Sequence, residues 1–175
     1  MNPALPLIAV GLLLLVSAFG KKGTATALGS TDIRATLRAL ASKYGAAIAQ
    51  NVARIYRLET RNFQSGQFLK TNTAGMAALD DAFPFGWPVR GTTPDMYNPP
   101  VFMVENNPTT GQPTGNGVKF VAFKRFPDAA EYLAKFLKDH GNNAGRWHAD
   151  NAHPDRQAAY IAALSNIEPT FTKDL

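Results

Sequence analysis

Residues 57–68 read RLETRNFQSGQF, and the standing of Glu59 at the head of this run decides how the chain is taken to fold. Upstream of it, Ile48, Val52 and Ile55 recur at spacings of four and three, and Glu59 follows four residues after Ile55. A helix from Ala46 to about Glu59 therefore carries the carboxylate on its apolar stripe, where a surface acid does not belong. A carboxyl packed against apolar groups loses solvation of its charged form, so its pKa rises and it holds its proton near neutrality. Such a group suits general-acid work on a glycosidic oxygen. The spacing leaves a second reading open: the helix ends a turn earlier, and Glu59 is solvated or paired with Arg54, Arg57 or Arg61.

Working outward, Ile33, Leu37, Leu40 and Tyr44 predict a preceding helix, with Ser30 or Thr31 as its cap and Gly45 as the break. Downstream, residues 60–75 read as polar loop and Met76–Phe83 as a short helix, closed by FPFGWP at Pro84 and Pro88. A loop rich in Pro, Gly and Thr continues to Pro100. VFMVEN (101–106) and VKFVAF (118–123) are β-prone and predict a hairpin whose long tip is NPTTGQPTGNG. From Pro127 a helix follows with Tyr132, Leu133, Phe136 and Leu137 on one side and Gly141 at its end. After a polar loop, Pro154–Asn166 gives a last helix carrying Tyr160, Ile161 and Leu164. The expectation is an α-dominant α+β domain with one β-hairpin and no internal repeat.

The 175 residues, 45% of them hydrophobic, suffice for one domain with its own core. There is no cysteine, which excludes disulfides and thiolate metal sites. Pro3–Gly20, PALPLIAVGLLLLVSAFG, has no charge and at ~1.5 Å per residue makes a helix of about 27 Å. No basic residue precedes it, and Lys21 and Lys22 follow it, so residues 1–20 are expected to be a retained transmembrane anchor rather than a cleaved leader. By the basic-flank rule those lysines keep the C-terminal side in the cytoplasm. Residues 21–30 read as a flexible linker and 31–175 as the domain. The net charge of +5 and pI near 9.6 favour anionic partners such as lipid, cell-wall polymer or nucleic acid. The basic residues are scattered, however, and no specific nucleic-acid partner is expected.

Trp87 and Tyr97, both in the Pro/Gly-rich loop, are candidate platforms for sugar rings, whose apolar faces pack on aromatic planes. Phe63, Phe68 and Phe85 lie near the same presumed cleft, with Gln64, Ser65, Asn72 and Asn98 as hydroxyl partners. HADNAH (148–153) holds two histidines and an aspartate but lacks a third strong ligand at a known spacing, so neither a metal nor a cofactor is expected.

The run YRLETRNFQSGQFLKTNTAGM, a glutamate closing a helix with Phe, Ser and Gly just after it, resembles the acid-bearing segment of the lysozyme superfamily. It is most similar to glucosaminidases of glycoside hydrolase family 73 and related phage peptidoglycan hydrolases. VKFVAFKRFPDAAEYLAKFLKDH looks like their hairpin strand leading into a helix, and RQAAYIAALSNIEP is similar to their closing helix. The likeness spans roughly residues 33–170. The chain departs from the pattern after the acid, where Thr60, Arg61 and Asn62 replace the family's usual Ser-Gly.

The resemblance implies that Glu59 is the catalytic acid and that Tyr160 contacts the sugar, beside the Ser65 already named as a substrate-binding candidate. It also implies that a second acid lies on or near the hairpin, for which Glu105 is the candidate and Asp80 and Asp81 the reserve pair. Strand alternation sets Glu105 on the face of Val101 and Met103, toward a cleft or toward solvent with Lys119 or Lys124. Without a placed second carboxylate, chemistry assisted by the substrate's acetamido group or by an internal hydroxyl is left. The implied protein is a membrane-anchored peptidoglycan hydrolase (glucosaminidase, muramidase or lytic transglycosylase), similar to virion-associated lytic enzymes of phages. Its partners are the glycan strand and, through residues 3–20, a lipid membrane. The rival expectation is a non-catalytic lysozyme-like module of a membrane or virion that binds cell wall.

Overall fold

The computed structural model of the protein describes residues 30–75, 94–106 and 112–169. In chain order these form α1 (Ser30–Tyr44), α2 (Ala46–Glu59), α3 (Gly66–Thr71), β1 (Tyr97–Asn106), β2 (Pro113–Phe123), α4 (Phe126–Asp139), α5 (Gly145–His148) and α6 (Pro154–Ser165). The chain is thus helix-dominant α+β with an antiparallel hairpin, as expected. The anchor expected at residues 1–20, residues 21–29 of the expected linker and the short helix expected at Met76–Phe83 lie outside the described residues, while Ser30, expected to end the linker, opens α1. Among the described residues, no helix is long and apolar enough to cross a membrane.

Gly45, at φ 93°, breaks α1 from α2 where the sequence placed the break; the left-handed value is one that glycine takes without steric cost. The apolar stripes of α1 and α2 meet, with Leu37, Val52 and Ile55 fully buried, and α4 and α6 pack across them through Leu133, Leu137 and Leu164. Four aromatic rings fill the centre. Tyr56 and Phe63 are stacked with centroids 5.7 Å apart, and Phe68 and Phe126 meet both of them edge-on at 5.2–5.9 Å. Phe63 and Phe68 are therefore core packing and not a platform for sugar.

Two short helices were not legible in the polar segments. Both α3 and α5 are too short to show an apolar period, and tertiary contact decides them. The hairpin is also longer than expected: β2 starts at Pro113, which shortens the tip to 107–112. Glycine-rich TGNG reads as loop, yet Gly117 pairs with Val104 and the Phe102 ring lies directly over it, in space that a β-carbon would occupy. At the other end, β1 begins at Tyr97, so the expected loop to Pro100 is partly strand. Pro99 and Pro100 cannot donate to the ladder, and the pairing register shifts between Asn98 and Val101.

The base of the hairpin is tied to the helices. The Asn72 amide donates to the Phe123 carbonyl at 2.9 Å, and the Tyr56 hydroxyl donates to the Asn72 carbonyl at 3.0 Å. A buried polar triad of Gln67, Thr71 and Thr73 supports this junction, with the Gln67 amide donating to Thr71 Oγ1 at 2.6 Å and to Thr73 Oγ1 at 2.9 Å.

Candidate functional site around Glu59

Helix α2 runs to Glu59 without fraying, so the stripe of Ile48, Val52 and Ile55 delivers this carboxyl to the interior side of the helix end. Glu59 is half-buried. Its Oε1 accepts a hydrogen bond of 2.6 Å from the hydroxyl of Tyr160, itself buried on α6. Its Oε2 has no hydrogen-bond partner among the described residues and faces Gly75, where even an added β-carbon would stand 4.0 Å away. Burial raises the Glu59 pKa above its ordinary value of 4.5, and the Tyr160 hydrogen bond offsets part of that rise.

Among the described residues no cation is paired with the acid. Arg54 and Arg57, two of the three partners of the alternative reading, turn instead to the segment after α6, while Arg61 is exposed: Arg54 Nε donates to the Ile167 carbonyl at 3.0 Å, and Arg57 Nη1 donates to the Glu168 carbonyl. Arg57 Nε also donates to Asn62 Oδ1 at 3.1 Å. Among the described residues Glu59 makes no ion pair, and a buried carboxyl without a cation is best accommodated in its protonated form.

The backbone after the acid is the least expected feature. Arg61, Asn62 and Phe63 all have left-handed φ, at 51°, 59° and 66°. For ordinary L residues that conformation costs roughly 1–2 kcal/mol each. Thr60 holds the turn together. Fully buried, it donates its hydroxyl to the Tyr56 carbonyl and accepts from the Phe63 N–H at 2.8 Å, while its own carbonyl accepts from the Gln64 and Ser65 N–H groups at 2.9 and 2.8 Å. The stacking of Phe63 on Tyr56 anchors the far side of the turn. Departure from the Ser-Gly pattern at Thr60-Arg61-Asn62 thus corresponds to a turn closed by the threonine hydroxyl and a core aromatic. No periodicity signals it.

Of the other candidates, Tyr160 is brought to Glu59. Ser65 is not a substrate group: it is buried, and its Oγ accepts from the Phe68 N–H at 3.1 Å as the N-cap of α3. Tyr97 opens β1 and is buried with its ring 4.2 Å from that of Phe123, so it belongs to the core under the hairpin and not to an exposed loop. Asn72, as described above, is a structural tie. Glu105 lies in β1 where the pairing register shifts between Val104 and Asn106, a break that removes the simple alternation used to orient it. Its side chain, together with Trp87, Phe85, Asp80 and Asp81, lies outside the described residues.

The residues of HADNAH part company. His153 Nδ1 is 2.7 Å from Asp150 Oδ1, whereas the His148 ring lies flat on Tyr160, with centroids 4.7 Å apart and 4° between the planes. No group of metal-ligating side chains occurs among the described residues. Trp147, just before this string, donates its Nε1–H to the Ala74 carbonyl at 3.0 Å, next to Gly75, and so joins α5 to the segment facing the acid.

Scans of family models, characterised proteins and solved structures return no match to the chain.

Arg146, one residue before Trp147, has Nε and Nη1 buried without a hydrogen-bond partner among the described residues. Unmet buried donors cost about 1–3 kcal/mol, and apolar replacement of such a cation is often stabilising. Arg146→Met, which keeps the length of the side chain, is expected to raise stability by about 1 kcal/mol, seen as a higher urea midpoint at unchanged slope.

Proposed function

We propose that the protein is a lysozyme-like peptidoglycan hydrolase in which Glu59 is the general acid. One observation carries this reading: a half-buried carboxyl at a helix end, paired with a buried tyrosine hydroxyl and with no cation among the described residues, whose pKa is raised by desolvation. Tyr160 donates to Oε1, which leaves Oε2 as the oxygen that bears the proton. A glycosidic oxygen of the glycan strand placed against Oε2 takes that proton as the bond from C1 breaks, and the leaving sugar departs as a neutral alcohol. The developing charge at C1 is met by water, by the neighbouring acetamido oxygen or by an internal hydroxyl, and Glu59 returns as a carboxylate that reclaims a proton in the second half of the cycle. Glu105 is the proposed water-positioning acid.

The charge-free segment 3–20 is the proposed anchor, with residues 21–30 as its tether, so that the enzyme acts on the wall from a membrane. A phage particle enclosing a membrane fits that arrangement: insertion into the host membrane during assembly explains why lysines follow the segment.

The test is solubilisation of purified peptidoglycan by the full chain in mild detergent, with mass spectrometry of the products. Release of muropeptides, with reducing or anhydro ends according to the attacking group, is expected. Binding to insoluble wall without release of any fragment would sink the enzymatic reading in favour of a wall-binding module.

The rate has a predicted pH dependence. Glu59 acts while protonated, and its raised pKa keeps it so above the range of an ordinary carboxylate. Activity is therefore expected to fall as pH rises through that raised pKa, placing the basic limb of the profile above pH 4.5. Initial rates across pH 4–9 check it.

A further inference from the structure

We propose that His148 is a positioning residue for the acid: its imidazole, stacked on Tyr160, fixes the phenol ring in the orientation that donates to Glu59. The inference rests on the catalytic reading of Glu59 and extends it to a residue two contacts away.

The stack is held from both sides. Helix α5 lies against α6 because Gly145 has no side chain: a β-carbon there would fall 2.7 Å from the Gln157 β-carbon and 2.9 Å from its α-carbon and carbonyl oxygen, none of which can yield. Three residues further along each helix, His148 meets Tyr160, so the Gly145–Gln157 and His148–Tyr160 contacts are one turn apart on both elements. Buried Gln157 then pins the flanking chain. Its Oε1 accepts from the Asn143 amide at 3.1 Å, and its Nε2 donates to the Ala149 and Asp150 carbonyls. The residues before and after His148 are thereby fixed to the helix that carries Tyr160.

The imidazole itself has no hydrogen-bond partner among the described residues and lies flat against Tyr160. Burial and the nearby Arg156 both disfavour its protonation. A neutral ring packs on the phenol without bringing a positive charge toward Glu59, which would ionise the acid.

The test separates a flat ring from its bulk and from its nitrogens. Carbon-13 NMR of Glu-labelled full chain in detergent micelles reads the Glu59 titration directly, with the resonance assigned by its loss in Glu59→Gln. Replacing His148 with Leu or Gln removes the flat face and frees the phenol, so the Glu59 midpoint is expected to move upward, in the same sense as is expected for Tyr160→Phe. His148→Phe keeps the face and should leave the midpoint at the wild-type value. Peptidoglycan solubilisation is expected to drop about tenfold in kcat with Leu or Gln, with KM little changed, and to survive in the Phe variant.

An unmoved Glu59 midpoint in both non-aromatic variants overturns the proposal, as does a Phe variant that shifts as far as they do. A Phe variant with normal titration but lost activity also overturns it, because His148 would then touch substrate. The NMR arm does not depend on cleavage. Coupled titration in a protein that releases no fragments would keep His148 as the positioner of Tyr160 and reject Glu59 as a catalyst. Uncoupled titration in an active enzyme would reject only the role of His148.

Discussion

Glu59→Gln is expected to lower glycan cleavage by about three orders of magnitude, within the range that positioned general acids contribute, while leaving the fold intact. The substitution isolates the proton. The amide oxygen still accepts from the Tyr160 hydroxyl, so packing at the helix end is kept, but the nitrogen facing Gly75 has no proton to give at useful acidity. A zymogram over peptidoglycan comparing the two proteins checks this, and equal clearing by both would remove Glu59 from the chemistry.

The same variant carries a stability signature of opposite sign. Because the folded-state pKa of Glu59 is raised, its favourable contribution is fully present below the unfolded value of 4.5 and is lost as pH rises through the folded value. Glutamine does not titrate. Urea midpoints of the two proteins should therefore differ least at acid pH and separate as pH rises, with the glutamine variant the more stable at neutrality. A wild-type protein that is the more stable at neutral pH would indicate that the carboxylate is well solvated or paired.

Phe63→Ala has the largest expected effect on stability, about 3 kcal/mol, at the lower end of what buried Phe→Ala changes cost because Phe63 is only half-buried. The loss has two sources. The ring leaves a void between Tyr56, Phe68 and Phe126, and alanine at φ 66° retains the left-handed cost with nothing to anchor it. The turn after Glu59 then relaxes, so activity at temperatures where the variant remains folded should fall as well. Urea titration gives the first quantity and peptidoglycan solubilisation the second; a loss below about 1 kcal/mol would mean that the turn is held by Thr60 alone.

What was legible in the sequence follows from the reach of the patterns involved. The stripe of α2 spans three turns, so Ile48, Val52, Ile55 and Glu59 announced their common face, and the Pro127 and Pro154 helices did the same. The six residues of α3 and four of α5 are too short for any period, and their existence depends on the Ser65 cap and on the fit of Gly145 against Gln157. The left-handed run at Arg61–Phe63 was hidden for another reason: arginine and phenylalanine ordinarily avoid that conformation, and the Thr60 bonds and the aromatic cluster that impose it appear only in three dimensions. Tyr97 misled because its Pro-rich surroundings read as loop, whereas Pro99 and Pro100 sit at a bulge in a strand. His148 was read as part of a polar string, and its partner Tyr160 is twelve residues later on a different helix.

The acid and its phenol are 101 residues apart in the chain. During synthesis, Glu59 leaves the ribosome long before Tyr160, and the carbonyls of Ile167 and Glu168 that hold Arg54 and Arg57 follow later still. A nascent chain stopped before α6 lacks both the hydroxyl that donates to Glu59 and the clasp over the helix that bears the acid. The surroundings that set the protonation of Glu59 are thus complete only once α6 and the residues just after it have been made.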